Sequence, residues 1–164
     1  MTTPRVLVAG IGNIFFGDDG FGVEVVRRLR EHGCPDGVDI VDFGIRGLDL
    51  TYALLDGYDV AVLVDALPRG GVPGTLYVLE PDVATSATPS IETHGMEPMK
   101  VLRLASALGR LPVLRIVGCD PAPPEEVGEM AMGLSAAVAA AVPEAVQIVE
   151  ALVTQFQESV EAGA

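Results

Sequence analysis

Residues 6–23 of this chain read VLVAGIGNIFFGDDGFGV, and this stretch decides the fold. It begins as a short, continuously apolar run, which is typical of a central parallel strand, and it ends in the first residues of an amphipathic helix. The turn between them holds two glycines, an asparagine and the adjacent carboxylates Asp18 and Asp19. Open α/β sheets bind ligands at the carboxyl ends of their strands, so this strand-to-helix turn marks a candidate site.

The rest of the chain alternates between strand-like and helix-like segments. Apolar runs predict further strands at residues 38–43, 60–64, 75–79 and 113–117. Helical spacing predicts helices at residues 20–31, 48–55 and 97–108, and a last helix from Pro143 onward. The alternation favours one three-layer α/β/α domain over residues 1–164.

Three details of this pattern are separate expectations. The short turn before residues 75–79 indicates a strand that runs antiparallel to its predecessor. Residues 130–141 are expected to form a short segment of their own before the helix that starts at Pro143. The tail at residues 158–164 is expected to be frayed.

Composition and charge exclude several classes of partner. The chain has 164 residues, of which 10 are Lys or Arg and 23 are Asp or Glu, so its formal net charge is -13. A chain without a basic excess is unsuited to nucleic acid. We see neither a run of ~20 apolar residues for a membrane span nor a secretory leader, and we expect a cytoplasmic protein without a membrane partner. Cys34 and Cys119 lie far apart, which argues against a zinc ribbon or a thioredoxin-type motif.

Three polar residues fall where strands or helices meet loops. Asp19 lies in the first strand-to-helix turn, Asp65 follows the apolar run at 60–64, and His94 precedes the third predicted main helix. In a mostly parallel sheet, the ends of the first and third strands open onto the same edge. Two carboxylates and an imidazole that meet there would suit a borderline divalent metal such as nickel or zinc.

Each of these residues also has a purely structural interpretation. Asp19 or its neighbour Asp18 could cap the following helix, and His94 could be an ordinary surface histidine. A carboxylate after a buried strand is costly unless it is paired or ligated, so the position of Asp65 favours function.

A second functional interpretation is a nucleotide-binding or oxidoreductase domain. The stretch from Gly10 to Phe15 begins like a dinucleotide fingerprint, and Asp42 would serve as the ribose-binding acid. However, Phe15 replaces the third glycine, and the aspartates of the turn would repel a pyrophosphate. We therefore expect no binding of NAD or FAD.

Seven short motifs taken together resemble the hydrogenase maturation endopeptidases. They are GIGN at 10–13, DDGFGV at 18–23, DFGIRG at 42–47, VDA at 64–66, PGT at 73–75, THG at 93–95 and GLS at 133–135. The similarity extends over about residues 5 to 153. It implies a twisted, mostly parallel five-stranded sheet with helices on both faces and one antiparallel strand. It also implies an endopeptidase that removes a C-terminal extension from the large-subunit precursor of a nickel–iron hydrogenase after nickel has been inserted.

The resemblance also assigns roles by position. It implies that Asp19, Asp65 and His94 are the nickel ligands and the catalytic residues, and we expect all three to face a cleft. The resemblance suggests that the substrate brings the nickel, and two carboxylates and one imidazole would leave coordination positions open on that metal.

The loop after the second strand is the candidate for substrate recognition. We expect Asp42, Ile45 and Arg46 to contact the precursor, the alternative being that Arg46 is a surface arginine without a partner. A non-catalytic nickel-sensing chaperone is a further alternative, because a fold does not fix a function.

Overall fold

The computed structural model describes residues 3–83, 97–123 and 132–162. The elements in chain order are β1 (Val6–Ile11), the 3-10 helix η1 (Gly17–Gly20), α1 (Phe21–His32), β2 (Val38–Gly44), α2 (Gly47–Leu54), β3 (Val60–Ala66), β4 (Leu76–Leu79), α3 (Pro98–Leu108), β5 (Val113–Cys119) and α4 (Ala136–Ala162).

The five strands form one sheet in the order β2-β1-β3-β5-β4. The pairs β1–β2, β1–β3 and β3–β5 are parallel, and β4 is antiparallel to β5. The predicted mixed sheet is thus confirmed, and β4 runs opposite to its predecessor, although the strand that it pairs with is β5.

Both faces of the sheet are buried. Val6 and Val8 of β1 pack into a core shared with α1 and α4, whereas Leu7 and Ala9 pack into a second core shared with α2 and α3. Alternate side chains therefore enter different cores, which is why the strands read as continuous apolar runs. The three-layer α/β/α prediction is confirmed.

Helix α1 lies unusually close to the sheet. A Cβ on Gly22 would lie 2.0 Å from the carbonyl oxygen of Val64 and 2.5 Å from that of Ile11. A Cβ on Gly10 would lie 2.6 Å from Cγ2 of Val26. Glycine at these positions lets the start of α1 rest on the carboxyl ends of β1 and β3, and this contact brings the first turn beside the end of β3.

The start of the last helix differs from the prediction. Helix α4 begins at Ala136, and Pro143 lies inside it, so the separate segment at 130–141 and the helix start at Pro143 are wrong. The buried side chains of Val142 and Val146 on either side of the proline enter the same core. Continuous burial of one apolar stripe therefore outweighs the backbone hydrogen bond that a proline removes.

The end of α4 lies within the predicted tail, and fraying of that tail stays a prediction. The tail expected to fray from Glu158 is helical as far as Ala162. Residues 136–159 are long and apolar enough to span a membrane by length and composition alone, a test that buried core helices also pass. Here the stripe that includes Val149 and Val153 packs against the sheet.

Candidate functional site

The candidate site lies along the carboxyl edge of the sheet. Gly10 of β1 pairs with Asp42 of β2 on one side and with Val64 of β3 on the other. Asp65, the next residue of β3, pairs with Gly118 of β5. The ends of β1, β2 and β3 therefore lie level with one another, as the sequence predicted.

The first turn fixes the carboxylate of Asp19. Gly12 has a φ of 141°, and a Cβ there would lie 1.8 Å from the carbonyl oxygen of Asp19, so only glycine fits. The backbone N–H of Asn13 donates to Oδ2 of Asp19 at 2.8 Å, and Oδ1 of Asn13 accepts from the N–H of Phe15 at 2.9 Å. Gly20 occupies the N-cap position of α1, so Asp19 is not the N-cap residue, although it is an acidic residue in the first turn of η1.

Asp65 is a buried carboxylate beside a second carboxylate. Asp65 is 5% exposed, and whether it faces a cleft stays a prediction. Burial raises the pKa of Asp65 well above its ordinary value, and the negative charge of Asp19 raises it further. A hydrogen bond from the backbone of Ala66 opposes this shift. The charge of Asp19 therefore acts on Asp65, and their approach to within metal-ligating distance stays a prediction.

The third predicted ligand, His94, lies outside the described residues. The convergence of Asp19, Asp65 and His94 thus stays a prediction. Within residues 3–83, 97–123 and 132–162, His, Cys, Asp and Glu side chains form no group of three or more that could hold a metal ion.

Asp18 has a different role from its neighbour. It is 5% exposed, and its Oδ1 accepts from the backbone N–H of Ser135 at 2.7 Å. Its Oδ2 accepts from the N–H of Ala122 and from the hydroxyl of Ser135, both at 2.8 Å. Asp18 thus joins the first turn to the segment after β5 and to the start of α4, while Asp19 stays half-buried at the sheet edge.

Asp120 is a buried carboxylate that the sequence analysis missed. It is 2% exposed and accepts from the backbone N–H groups of Arg69 at 2.8 Å and Gly71 at 3.1 Å, and from the hydroxyl of Tyr77. These donors lower the pKa of Asp120, the Tyr77 hydroxyl most of all. The signal was available, because Asp120 directly follows the apolar run of β5. Its bonds fix the loop that leaves the end of β3.

The β2–α2 loop presents exposed side chains at the same edge. Asp42, Ile45 and Arg46 are all exposed. The guanidinium of Arg46 donates to Oδ2 of Asp49 at 3.1 Å and to the carbonyl oxygen of Asp42 at 2.5 Å, and it lies 5.9 Å from the ring centre of Phe43. The interpretation of Arg46 as an arginine without a partner is therefore wrong. Whether this loop contacts a substrate stays a prediction.

This chain is similar in sequence and in structure to proteins of one family. A family model described as hydrogenase maturation protease matches residues 23–152. The hydrogenase maturating endopeptidase HybD from Escherichia coli has a structure that aligns with a TM-score of 0.73 at 28% identity, covering 93% of each chain. The hydrogenase 2 maturation peptidase from a Thaumarchaeota archaeon aligns with a TM-score of 0.68 at 34% identity, covering 90% of this chain and 97% of that one.

Several relatives extend beyond the region that matches. The hydrogenase expression/formation protein HupD of Rhizobium leguminosarum is 34% identical over 148 residues, which are 88% of this chain and 71% of that protein. In four further proteins described as hydrogenase expression/formation proteins, the matching region spans only 60 to 66% of their length.

Proposed function

Because this chain belongs to the hydrogenase maturation protease family, a family of peptidases, we propose that it removes the C-terminal extension of a nickel-loaded hydrogenase large-subunit precursor. The observation that carries the proposal is the position of the buried Asp65 at the end of β3, level with the end of β1 and the turn that holds Asp19.

The buried carboxylates at the end of β3 and just after β5 differ in a way that favours function at Asp65. Asp120 is surrounded by donors that lower its pKa and stabilise its charge. The pKa of Asp65 is raised, and the neighbouring charge that acts on it is the like charge of Asp19. A divalent cation beside both carboxylates would offset this repulsion, and strongly perturbed pKa values concentrate at functional sites.

Nickel accepts the ligand types that these residues offer, namely carboxylate oxygen and imidazole nitrogen. We propose that Asp19, Asp65 and His94 contact a nickel ion that the precursor carries, and that further ligands come from the precursor itself. Three protein ligands leave coordination positions open, as a site that reads a metal on its substrate requires. The protease would then act only on a precursor that has received its metal.

A polypeptide substrate also fits the surface around the site. Six large apolar side chains of the first turn and the α2 region are 46 to 61% exposed: Ile14, Phe15, Phe16, Ile45, Leu48 and Tyr52. The backbone N–H of Gly12 donates to the carbonyl oxygen of Gly44 at 3.0 Å, so the two segments adjoin. Exposed apolar surface of this kind is typical of protein recognition. We propose that the precursor binds along it and that Asp42, Ile45 and Arg46 contribute contacts.

The reaction adds one water molecule to a peptide carbonyl, breaks the C–N bond and releases a new carboxylate and a new amine. The raised pKa suits Asp65 to accept a proton from the attacking water. It equally suits Asp65 to lose a proton when nickel binds, with nickel polarising the carbonyl. In the first route Asp65 takes up a proton during the attack of water, whereas in the second route Asp65 releases a proton when nickel binds.

The direct test is incubation of the purified protein with nickel-loaded precursor, followed by mass measurement of the products. We expect one cut that releases the C-terminal extension. Asp19→Asn, Asp65→Asn and His94→Ala should abolish it, whereas Asp36→Asn, which alters an exposed carboxylate before β2, should cut like wild type. Binding of the precursor without any cleavage would support the nickel-sensing chaperone instead.

A further inference from the structure

Asp18 is a buried carboxylate that the proposed reaction does not use. It accepts three hydrogen bonds from Ala122 and Ser135, which are 104 and 117 residues away in the chain. Ala122 lies just after β5, and Ser135 directly precedes α4. One side chain of the first turn therefore ties together three segments that are distant in sequence, and we call these three bonds the Asp18 clamp.

The clamp acts on the short helix that also carries Asp19. Both aspartates lie in η1, where a 3-10 helix has about three residues per turn, so neighbouring side chains diverge by about 120°. Asp18 consequently points inward to Ser135, while Asp19 stays half-buried and accepts from the N–H of Asn13. A rotation of η1 about its axis would move both carboxylates together.

We propose that Asp18 is a positioning residue whose clamp on Ala122 and Ser135 fixes the rotation of η1 and thereby sets where the Asp19 carboxylate lies relative to Asp65. The inference rests on the proposed function for its catalytic consequence. Residues that orient a ligating side chain typically change metal affinity or activity by about 10- to 100-fold when they are replaced. Small displacements matter because a reacting group must be held within about 0.5 Å of its productive position.

The substitutions Ser135→Ala and Asp18→Asn form a graded series. Ser135→Ala removes the hydroxyl donor and leaves both backbone bonds intact. Asp18→Asn replaces one acceptor oxygen by an N–H2 group, which cannot accept from the N–H of Ala122. Val149→Ala is the control, because it alters a buried residue of α4 that lies about 20 Å along the helix from Ser135. It lowers the stability of the fold without touching the clamp.

Two readouts separate positioning from general destabilisation. The first is hydrogen exchange of the Asn13 amide by NMR, since this amide donates to Asp19 and reports its position without any substrate. The second is kcat and KM for cleavage of nickel-loaded precursor. For Asp18→Asn we expect lost protection of the Asn13 amide and a kcat/KM about 10- to 100-fold lower, because Asp19 contacts the nickel of the precursor in the proposed function. Ser135→Ala should show smaller changes of both kinds, and Val149→Ala should retain wild-type protection and kcat/KM at its lower melting temperature.

The amide readout keeps the inference separate from the proposed function. Wild-type protection of the Asn13 amide in Asp18→Asn would overturn the positioning role, and so would an equal loss of protection in Val149→Ala. If wild type does not cut the precursor at all, the proposed function fails, while the amide readout still decides whether Asp18 positions Asp19.

Discussion

The contact between α1 and the sheet gives the sharpest prediction about stability. In Gly22→Ala, the new Cβ would lie 2.0 Å from the carbonyl oxygen of Val64 and 2.5 Å from that of Ile11. Both atoms belong to the backbone of central strands, so neither can turn away. Ordinary contacts between carbon and oxygen begin at about 3.3 Å, and the start of α1 must therefore move by about 1 Å.

The magnitude follows from two opposing effects. Alanine is a better helix former than glycine by about 1 kcal/mol, which favours the variant. Overpacking of a tight core costs typically about 1 to 3 kcal/mol and occasionally more, and the contact with two rigid carbonyl groups belongs at the high end. We expect a net loss of about 2 kcal/mol in the free energy of unfolding, which lowers the melting temperature by roughly 4 to 8 °C in a domain of this size.

The assay is thermal and urea unfolding of Gly22→Ala beside Gly109→Ala. Gly109 has an extended backbone, with a φ of -179°, and the nearest atom to its new Cβ is Cδ2 of Leu55 at 3.0 Å. That methyl group ends a flexible side chain, so we expect a change below about 1 kcal/mol. A Gly22→Ala protein that melts at the wild-type temperature would refute the close packing of α1 on β1 and β3.

Three further predictions concern the site. Arg46→Ala should impair processing of the precursor while the melting temperature stays nearly constant. The ion pair of Arg46 with Asp49 is exposed, and such pairs contribute about 0 to 1 kcal/mol to stability. An unaltered cleavage rate across a precursor titration would show that the β2–α2 loop is not part of the recognition surface. Asp65→Asn should stabilise the protein at neutral pH, because folding raises the pKa of Asp65. Ionisation of Asp65 therefore opposes folding increasingly as the pH rises above the ordinary aspartate pKa of about 3.9. Equal stability of variant and wild type from pH 4 to 8 would contradict the predicted stabilisation. Calorimetric titration with NAD or FAD should give no saturable heat, and micromolar binding of either would revive the dinucleotide interpretation.

Local sequence patterns were sufficient to predict most of the fold. The apolar runs of β1 and β3 predicted central strands because both faces of the sheet are buried, and every residue of such a strand must then be apolar. Gly12 of the first turn and Gly22 of α1 each let backbone segments approach so closely that a Cβ would not fit. The predicted start of the last helix at Pro143 was wrong. Proline favours the first position of a helix, but the packing of residues on both sides of Pro143 decides where α4 begins.

The different roles of Asp18 and Asp19 could not be predicted from local sequence. Both carboxylates suit the start of a helix equally well, and their roles separate only through partners more than a hundred residues away, Ala122 and Ser135. The burial of Asp65 was foreseeable from its strand, but the direction of its pKa also depends on Asp19, a neighbour that the parallel pairing of β1 and β3 brings close. Long-range contacts thus decide what each acidic residue does.

We propose that this protein reads nickel and that the nickel belongs to the substrate. The most direct measurement treats the purified protein with a chelator, removes the chelator, and then follows cleavage of nickel-loaded and nickel-free precursor by mass spectrometry. We expect the treated protein to cut the nickel-loaded precursor at the untreated rate and to leave the nickel-free precursor intact. Efficient cleavage of the nickel-free precursor, or activity that is lost on chelation of the protein alone and recovered with zinc, would contradict it.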